Sequence, residues 1–500
     1  MNRIRIPIEL QKMNTIFRDN GFESYLVGGA VRDILLGKKA SDWDVASNAK
    51  PEDVIRIFHK VIPTGIEHGT VTVHFLQKEI EVTTYRIDEN YNDGRHPDSV
   101  TYTSDITQDL SRRDFTMNAI AASLDDGTII DPFHGEDDIK HKIIRTVGKP
   151  EERFSEDGLR PVRAVRFAAK TGFSIAPETL AAIPKSLDIT AKISIERFRD
   201  EFLKTIESAE PVKGLRLMEE TGIMKLFIPE FCKCRGVVQA DGRGIHKFDV
   251  LDHLYNALEG AVWIENQRGT PPSLMLRLAA LFHDIGKPAS KKTIKKQASP
   301  DAEKPEEASI IHTFYNHESI GADMTFEILN RLRLPKSQSS YVSHLVRQHM
   351  FFYESSWTNA AIRRFLVRIT PPGAKNTSPD SAEINATIND IFDLRIADVY
   401  GMTRTPPVLA KGVWSKNLIE FRERIDGIIA EKNAITLKDL AVNGKDLMAA
   451  GIPSGKEIGR ILDELLEAVL DNPALNEKDK LLTIARNISG MKPQEQQHQA

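Results

Sequence analysis

The feature that most restricts this chain is a change of period near Gly148. Before it, short Val/Ile/Thr-rich runs (YLVGG, WDVAS, VTVHFL, EIEVTTYR) alternate with helical patterns, one of them expected through MNAIAASL. After it, amphipathic helical periodicity runs almost unbroken through GLRPVRAVRFAAKTGF, ISIERFRDEFLKTIES and PVKGLRLMEETGIMKLF. Short strands mixed with helices followed by a helical remainder define an α+β chain, with a small mixed-sheet head joined to mostly helical domains. Five hundred residues exceed one hydrophobic core. Four regions are expected: 1–150, a head; 151–240, a helical neck and body; 241–405, a histidine-rich helical unit with a polar loop near 289–309; and 406–500, a helical tail.

Charge and composition exclude several classes. Lys+Arg 67 against Asp+Glu 71 leave a formal charge of −4, so no global basic field draws in a polyanion. No apolar run approaches the ~20 residues that span a bilayer, so no membrane association is expected. The opening MNRIRIPIELQKMNTIF lacks the apolar core of a secretory signal, and a cytoplasmic location follows as an expectation. Cys232 and Cys234 are the only cysteines, too close for good disulfide geometry and too few for a zinc site, and read as ordinary thiols.

Two motifs in the head carry chemistry. An apolar strand runs into Gly28-Gly29 and then a helix; without Cβ atoms that turn lets backbone N–H groups close on a phosphate. Asp42 and Asp44 stand at i and i+2 on a strand, and their carboxylates crowd on one face unless a divalent cation joins them. Glu81, on a neighbouring strand, is placed to assist. Three acids beneath two Mg²⁺ ions suit phosphoryl transfer, in which one ion activates the attacking hydroxyl and the other holds the triphosphate.

The segment LVGGAVRD, which contains Arg32, followed nine residues on by Asp42-x-Asp44, resembles the signature of the class II tRNA nucleotidyltransferases and the related bacterial poly(A) polymerases. The resemblance continues through about 230 residues in the family's order. Arg112, Arg113, Asp114 and Asn118, within RRDFTMNA, resemble the motif that supports sugar and triphosphate binding. DPFHG through Ile144-Arg145 resembles the motif coupling head to neck, and SIER the next helical motif. EDGLRPVRAVRF resembles the nucleotide-selecting helix, with Asp157, Arg160 and Arg163 as the implied nucleotide contacts. The resemblance implies a polymerase β-like head that adds CCA, without a template, to a tRNA 3′ end from CTP and ATP.

The selecting pair also follows from chemistry. Cytosine and adenine each present an exocyclic amine beside a ring-nitrogen acceptor, and a carboxylate next to a guanidinium complements that edge but not uracil or guanine. At i and i+3, Asp157 and Arg160 are expected to share one helix face. Gly158 and Pro161 flank them, so the helix is expected to start or kink there. The polar stretch RIDENYNDGRHPDSVTYTSDITQDL resembles the family's loop needed when specificity changes from C to A, which favours CCA over CC addition. An enzyme adding only the terminal A, and a poly(A) polymerase, stay open alternatives.

The histidine-rich unit presents His253, His283-Asp284 and Asp398 in the order H…HD…D, with the doublet ending an apolar helix. Imidazole and carboxylate together suit Mg²⁺ or a transition metal such as Mn²⁺ or Ni²⁺ that activates water against a phosphoester. The segment resembles the HD phosphohydrolase superfamily; His317 and His349 are candidates for a second metal position, and His246 and His312 weaker ones. Some relatives carry such a domain with phosphatase or cyclic-phosphodiesterase activity, so hydrolysis as the main activity is a third alternative. The tail over 442–472 resembles the family's RNA-contacting end.

Overall fold

The computed structural model describes residues 2–40, 42–66, 69–89, 99–239, 247–296, 309–371, 373, 381–406, 414–431 and 437–490. The chain divides into two compact units, Met1–Cys232 and Lys233–Ala500.

The first unit is built on a seven-stranded sheet. Its strands are β1 (Ser24–Val27), β2 (Trp43–Ser47), β3 (Val61–Gly65), β4 (Thr70–Phe75), β5 (Lys78–Thr84), β8 (Ala121–Ser123) and β9 (Ile129–Ile130); β6 (Arg86–Glu89) and β7 (Ser99–Tyr102) form a separate pair. The order is β3-β4-β5-β2-β1-β8-β9, antiparallel except that β2 and β5 run parallel, which sets Asp44 opposite Glu81. The alternating runs predict this sheet because every second side chain is buried, as in Val71, Val73, Ile80 and Val82. Val27, Ala46, Tyr85, Ile106, Leu110 and Ala121 close one face as a core.

The helix expected through MNAIAASL is not there. Thr116–Asn118 makes one 3₁₀ turn and Ala121–Ser123 is β8, paired with β1 on one side and β9 on the other. Ladder hydrogen bonds on both edges of a buried alanine pair outweigh alanine's helix propensity.

The helical part of this unit follows its periodicity. Arg160–Thr171 has Pro161 in its first turn, where no intrahelical N–H is lost, and ends at Gly172 with a φ of 75°. It packs against the helices Ile195–Ile206 and Pro211–Glu220. Cys232 and Cys234 are thiols, not a disulfide.

In the second unit the long helices Val250–Arg268 and Ala382–Thr403 pack side by side, with Leu274–Phe282, His317–Arg331 and Lys336–Gln348 around them. Lys292–Lys296 and Ser309–Thr313 pair as an antiparallel hairpin; the loop expected near 289–309 lies outside the described residues over 297–308. A separate core of Leu447, Ile461, Leu465, Val469 and Leu481 holds the tail helices. Among the described residues no helix is long and apolar enough to cross a membrane.

Candidate active site and metal centre

The first unit encloses a cavity of about 600 Å³ at the end of β1 and β2. Gly28, Gly29, Arg32, Asp42, Asp44, Arg112, Arg113, Asp114, Asn118, Asp157, Arg160 and Arg163 all line it. Twelve of the thirteen head residues named from the sequence therefore meet in one place. The thirteenth, Glu81, is exposed and not among the cavity walls, although it is the in-register neighbour of Asp44.

Gly28 is the tight point of the turn. Its φ is 69°, and a Cβ there would lie 3.1 Å from Arg113 Nη1 and 3.7 Å from Asp44 Oδ2, so only glycine lets the backbone come this near both charges. Asp44 is pushed up to about 6, chiefly by burial and then by the charges of Glu81 and Asp42, with Arg113 opposing. Crowded, half-desolvated carboxylates of this kind fit divalent ions, which remove the repulsion.

A hydrogen-bonded network forms another part of the wall. Arg32 donates to Asn118 Oδ1 at 2.7 Å, Asn118 donates to Asp114 Oδ1 at 3.2 Å, and Arg163 Nε donates to Asp114 Oδ2 at 2.8 Å. Burial would raise Asp114, but Arg163 and its hydrogen bonds outweigh that and hold it below the ordinary carboxylate range. Arg112 and Arg113 are both gripped by buried Asp109, at 2.8 and 3.2 Å. Asp109 was missed from the sequence, although its position three and four residues before the arginines on a helical segment was a legible signal.

Asp157 and Arg160 do not share a helix, contrary to the expected i, i+3 face. The helix Pro150–Glu156 ends at Asp157, which is extended (φ −142°, ψ 111°), and the next helix begins at Arg160. A Cβ on Gly158 would lie 2.6 Å from the Ile189 carbonyl, so the break is packed against that backbone. The break still presents both side chains to the cavity. Asp157 accepts from Leu159 N at 3.0 Å through Oδ1 and from Arg197 at 2.8 Å through Oδ2. Arg160 donates through Nη1 to Arg153 O at 2.8 Å and to Glu156, and through Nη2 to Arg112 O at 3.0 Å. Two carboxylate lone-pair positions and two guanidinium N–H groups are not used by these contacts.

Lys204 and Arg197 also line the cavity and were not among the expected site residues; only the SIER motif pointed at Arg197. With them the walls carry nine cationic side chains and five carboxylates.

The second unit brings His253, His283, Asp284, His317, His349 and Asp398 together, all buried. Ligand atoms of His253, His283 and Asp398 lie within 4.8 Å of one another, as do those of Asp284, His317 and His349. Asp284 joins the sets: Oδ2 is 3.2 Å from His253 Nε2 and Oδ1 is 3.1 Å from His317 Nε2. His283, His317 and His349 each donate Nδ1–H to the carbonyl three residues back, at 2.9, 2.7 and 2.7 Å, which fixes Nε2 as the inward ligand atom. Burial opposes both charges, yet Lys287 and His283 hold Asp284 well below its ordinary value, and Asp284 pushes His283 up to about 10. Burial lowers His349, which favours the neutral form that a metal ligand needs, whereas His283 would have to give up a proton to an incoming ion. Four imidazoles and two carboxylates so arranged would suit divalent metal, with Asp284 within reach of both sets. Gly286 permits the approach: a Cβ there would lie 2.2 Å from the His317 carbonyl. His312 is not in the cluster and pairs with Thr293 in the hairpin; His246 lies outside the described residues.

Comparison with known proteins finds matches along both units. The poly A polymerase head domain matches residues 24–145, the RNA and SrmB binding site of polymerase A 172–234, the HD domain 250–399, and tRNA nucleotidyltransferase domain 2 residues 415–485. The CCA-adding enzyme of Geobacillus stearothermophilus is 49% identical over 206 residues, 41% of this chain and 51% of the relative; that of Levilactobacillus brevis is 46% identical over 211 residues, 42% and 53%. The chain thus spans about half the length of the curated relatives it matches. The crystal structure of Bacillus stearothermophilus CCA-adding enzyme in complex with CTP covers 97% of both chains at 28% identity with a TM-score of 0.66. Thermotoga maritima CCA-adding enzyme complexed with tRNA is alike in fold alone, at 20% identity, 97% coverage of both chains and a TM-score of 0.51.

The cavity residues thus lie largely in a stretch that matches a poly A polymerase head domain, and the histidine cluster in one that matches an HD domain. The chain is similar to CCA-adding enzymes over part of their length, and to one of known structure along almost all of it.

Proposed function

We propose that this protein adds CCA, without a template, to the 3′ end of tRNA from CTP and ATP, in the cytoplasm. The observation that carries the reading is one cavity lined by Asp42 and Asp44, by Asp157 and Arg160, and by nine cationic side chains. Asp42 and Asp44 would hold Mg²⁺ with Glu81 assisting, and the ions would supply charge neutralisation and an activated hydroxyl. The chain's own residues do the rest. The Gly28-Gly29 turn admits the phosphates close to Arg113, and Arg163, fixed by Asp114, extends the positive wall along them. Asp157 accepts from the exocyclic amine of C or A while Arg160 donates to the ring nitrogen; U and G place like groups against both. The tRNA 3′-hydroxyl attacks the α-phosphate and pyrophosphate leaves.

A tRNA transcript lacking CCA, incubated with CTP and ATP separately and together, tests this by product sequencing. The expected product with both is one added CCA. Long adenylate tracts without CTP would instead make it a poly(A) polymerase, and a single A added only to transcripts already ending in CC would make it an A-adding enzyme.

The two buried His/Asp sets, with Asp284 within 3.2 Å of His253 and 3.1 Å of His317, favour a second activity, metal-dependent phosphoester hydrolysis at the HD centre with Mg²⁺, Mn²⁺ or Ni²⁺. Release of p-nitrophenol from bis(p-nitrophenyl) phosphate with each metal, abolished by Asp284→Asn, is the expected result. No turnover with any of them would remove this reading and leave the head's untouched.

A further inference from the structure

Apart from the histidine cluster, the second unit holds a cavity of about 720 Å³, a size that suits a small molecule. Helical spacing builds two of its walls. Ser337 and Tyr341 stand at i and i+4 on the helix Lys336–Gln348, and Glu383, Ala386 and Asp390 at i, i+3 and i+7 on Ala382–Thr403, so each set lines one face. Met275, from the helix Leu274–Phe282, and Pro371, just past the helix Asn359–Ile369, add hydrocarbon, and the accessible lining is mainly apolar.

The polar feature of this cavity is Asp390. Its Oδ2 accepts from the Tyr341 hydroxyl at 2.7 Å, and among the described residues no other donor reaches the carboxylate. Burial pushes its carboxyl up to about 6, against the pull of that hydrogen bond and of the Arg268 charge, so at pH 8 it is a charged group short of donors. Glu383 adds a second carboxylate to the lining and Lys336 an ammonium, which among the described residues pairs with neither. The lining is thus left with a net negative charge. A bare Mg²⁺ or Ca²⁺ would need about six oxygen ligands and would meet mostly hydrocarbon here. An N–H cation carried on an apolar body matches both parts of the wall: its charge goes to Asp390 and its hydrocarbon covers Met275 and Pro371.

We propose that this cavity binds a small organic ammonium ion with an apolar body, through Asp390. It shares no residue with the nucleotide cavity or the histidine cluster, so the site stands independently of the activities proposed above. The ammonium donates to the carboxylate oxygen that Tyr341 leaves open.

The full-length protein is titrated calorimetrically at pH 8 with three probes of nearly equal size, 2-phenylethylamine, 2-phenylethanol and phenylacetate. The amine is expected to bind at one site per chain, about ten-fold more tightly than the alcohol, and phenylacetate more weakly than either. Asp390→Asn keeps the size of the side chain and an acceptor for Tyr341; it should remove the amine's advantage and leave the alcohol's affinity unchanged. Ala386→Trp fills the cavity from an exposed helix position and should abolish binding of all three. Should the asparagine variant fail to fold, the tryptophan variant decides alone. No saturable amine binding, an amine that binds no more tightly than the alcohol, or an amine affinity that survives either substitution overturns the proposal.

Discussion

Arg160→Lys probes the selecting pair at the level of single N–H groups. Arginine brings five donors in a planar fork, three of them committed to Arg153 O, Arg112 O and Glu156, and the remaining two are aimed by those anchors. Lysine keeps the charge but offers three donors from one point, so it cannot hold these anchors and still present a directed pair to a base. A base-edge contact is worth ~1–3 kcal/mol of discrimination, or roughly 5- to 150-fold in kcat/KM. The ratios of kcat/KM for CTP over UTP and ATP over GTP, measured on one tRNA transcript, should each fall by at least about five-fold. Stability should drop by only about 1 kcal/mol, because water in the cavity can reach the abandoned carbonyls. A variant that folds, turns over and keeps the wild-type ratios would refute the assignment of Arg160 to base reading.

Three further outcomes are expected. Asp44→Asn should abolish nucleotide addition yet raise the Tm of chelator-treated protein at pH 7.5. A carboxyl raised from 3.8 to about 6 destabilises the fold once ionised, by about 3 kcal/mol fully present above pH 6 and absent below pH 4, so the gain should vanish on acidification. Tyr341→Phe removes the 2.7 Å hydrogen bond to Asp390, whose carboxyl burial has already pushed up to about 6. Denaturation should show a loss of ~1–3 kcal/mol above pH 6 that shrinks below it, since only the charged carboxylate needs that donor. Asp284→Ala should lower bound metal, read by elemental analysis, while tRNA extension by the head continues at the wild-type rate.

Much of the site was legible because its residues recur at short spacings with a chemical reason for each. Asp42-x-Asp44 and Gly28-Gly29 each place their groups through local backbone geometry alone, and β1 and β2 then bring the two motifs together. Legibility failed where tertiary context decided. MNAIAASL has helical composition, but β1 and β9 offered its alanines a ladder on both sides. The Asp157/Arg160 spacing reads as one helix face, but Gly158 meets the Ile189 backbone and the helix breaks there. Lys204 carries no local signal at all; it reaches the cavity only because the helix Ile195–Ile206 packs on Arg160–Thr171. In the HD unit the order H…HD…D picked out residues that the fold gathers into one buried cluster, whereas the reach of Asp284 to both sets of histidines is a property of helix packing that no spacing encodes.

The formal charge of −4 was a sound argument against a wholly electrostatic binder and a poor guide to the cavity. Charges separated by more than a Debye length, ~8 Å at physiological ionic strength, hardly feel one another, so an anionic ligand responds to the wall beside it and not to the chain's total. That wall has nine cations and five carboxylates. Two of the five, Asp42 and Asp44, are the pair proposed to hold metal ions, which would reverse their local sign. Two others, Asp114 and Asp157, are held by Arg163 and Arg197. The cavity is therefore more positive toward a triphosphate than its side-chain count implies, and only when the ions are present. Nucleotide affinity should accordingly depend steeply on divalent metal and weakly on monovalent salt, because near charges in a partly dry cavity are screened less than those spread over a surface.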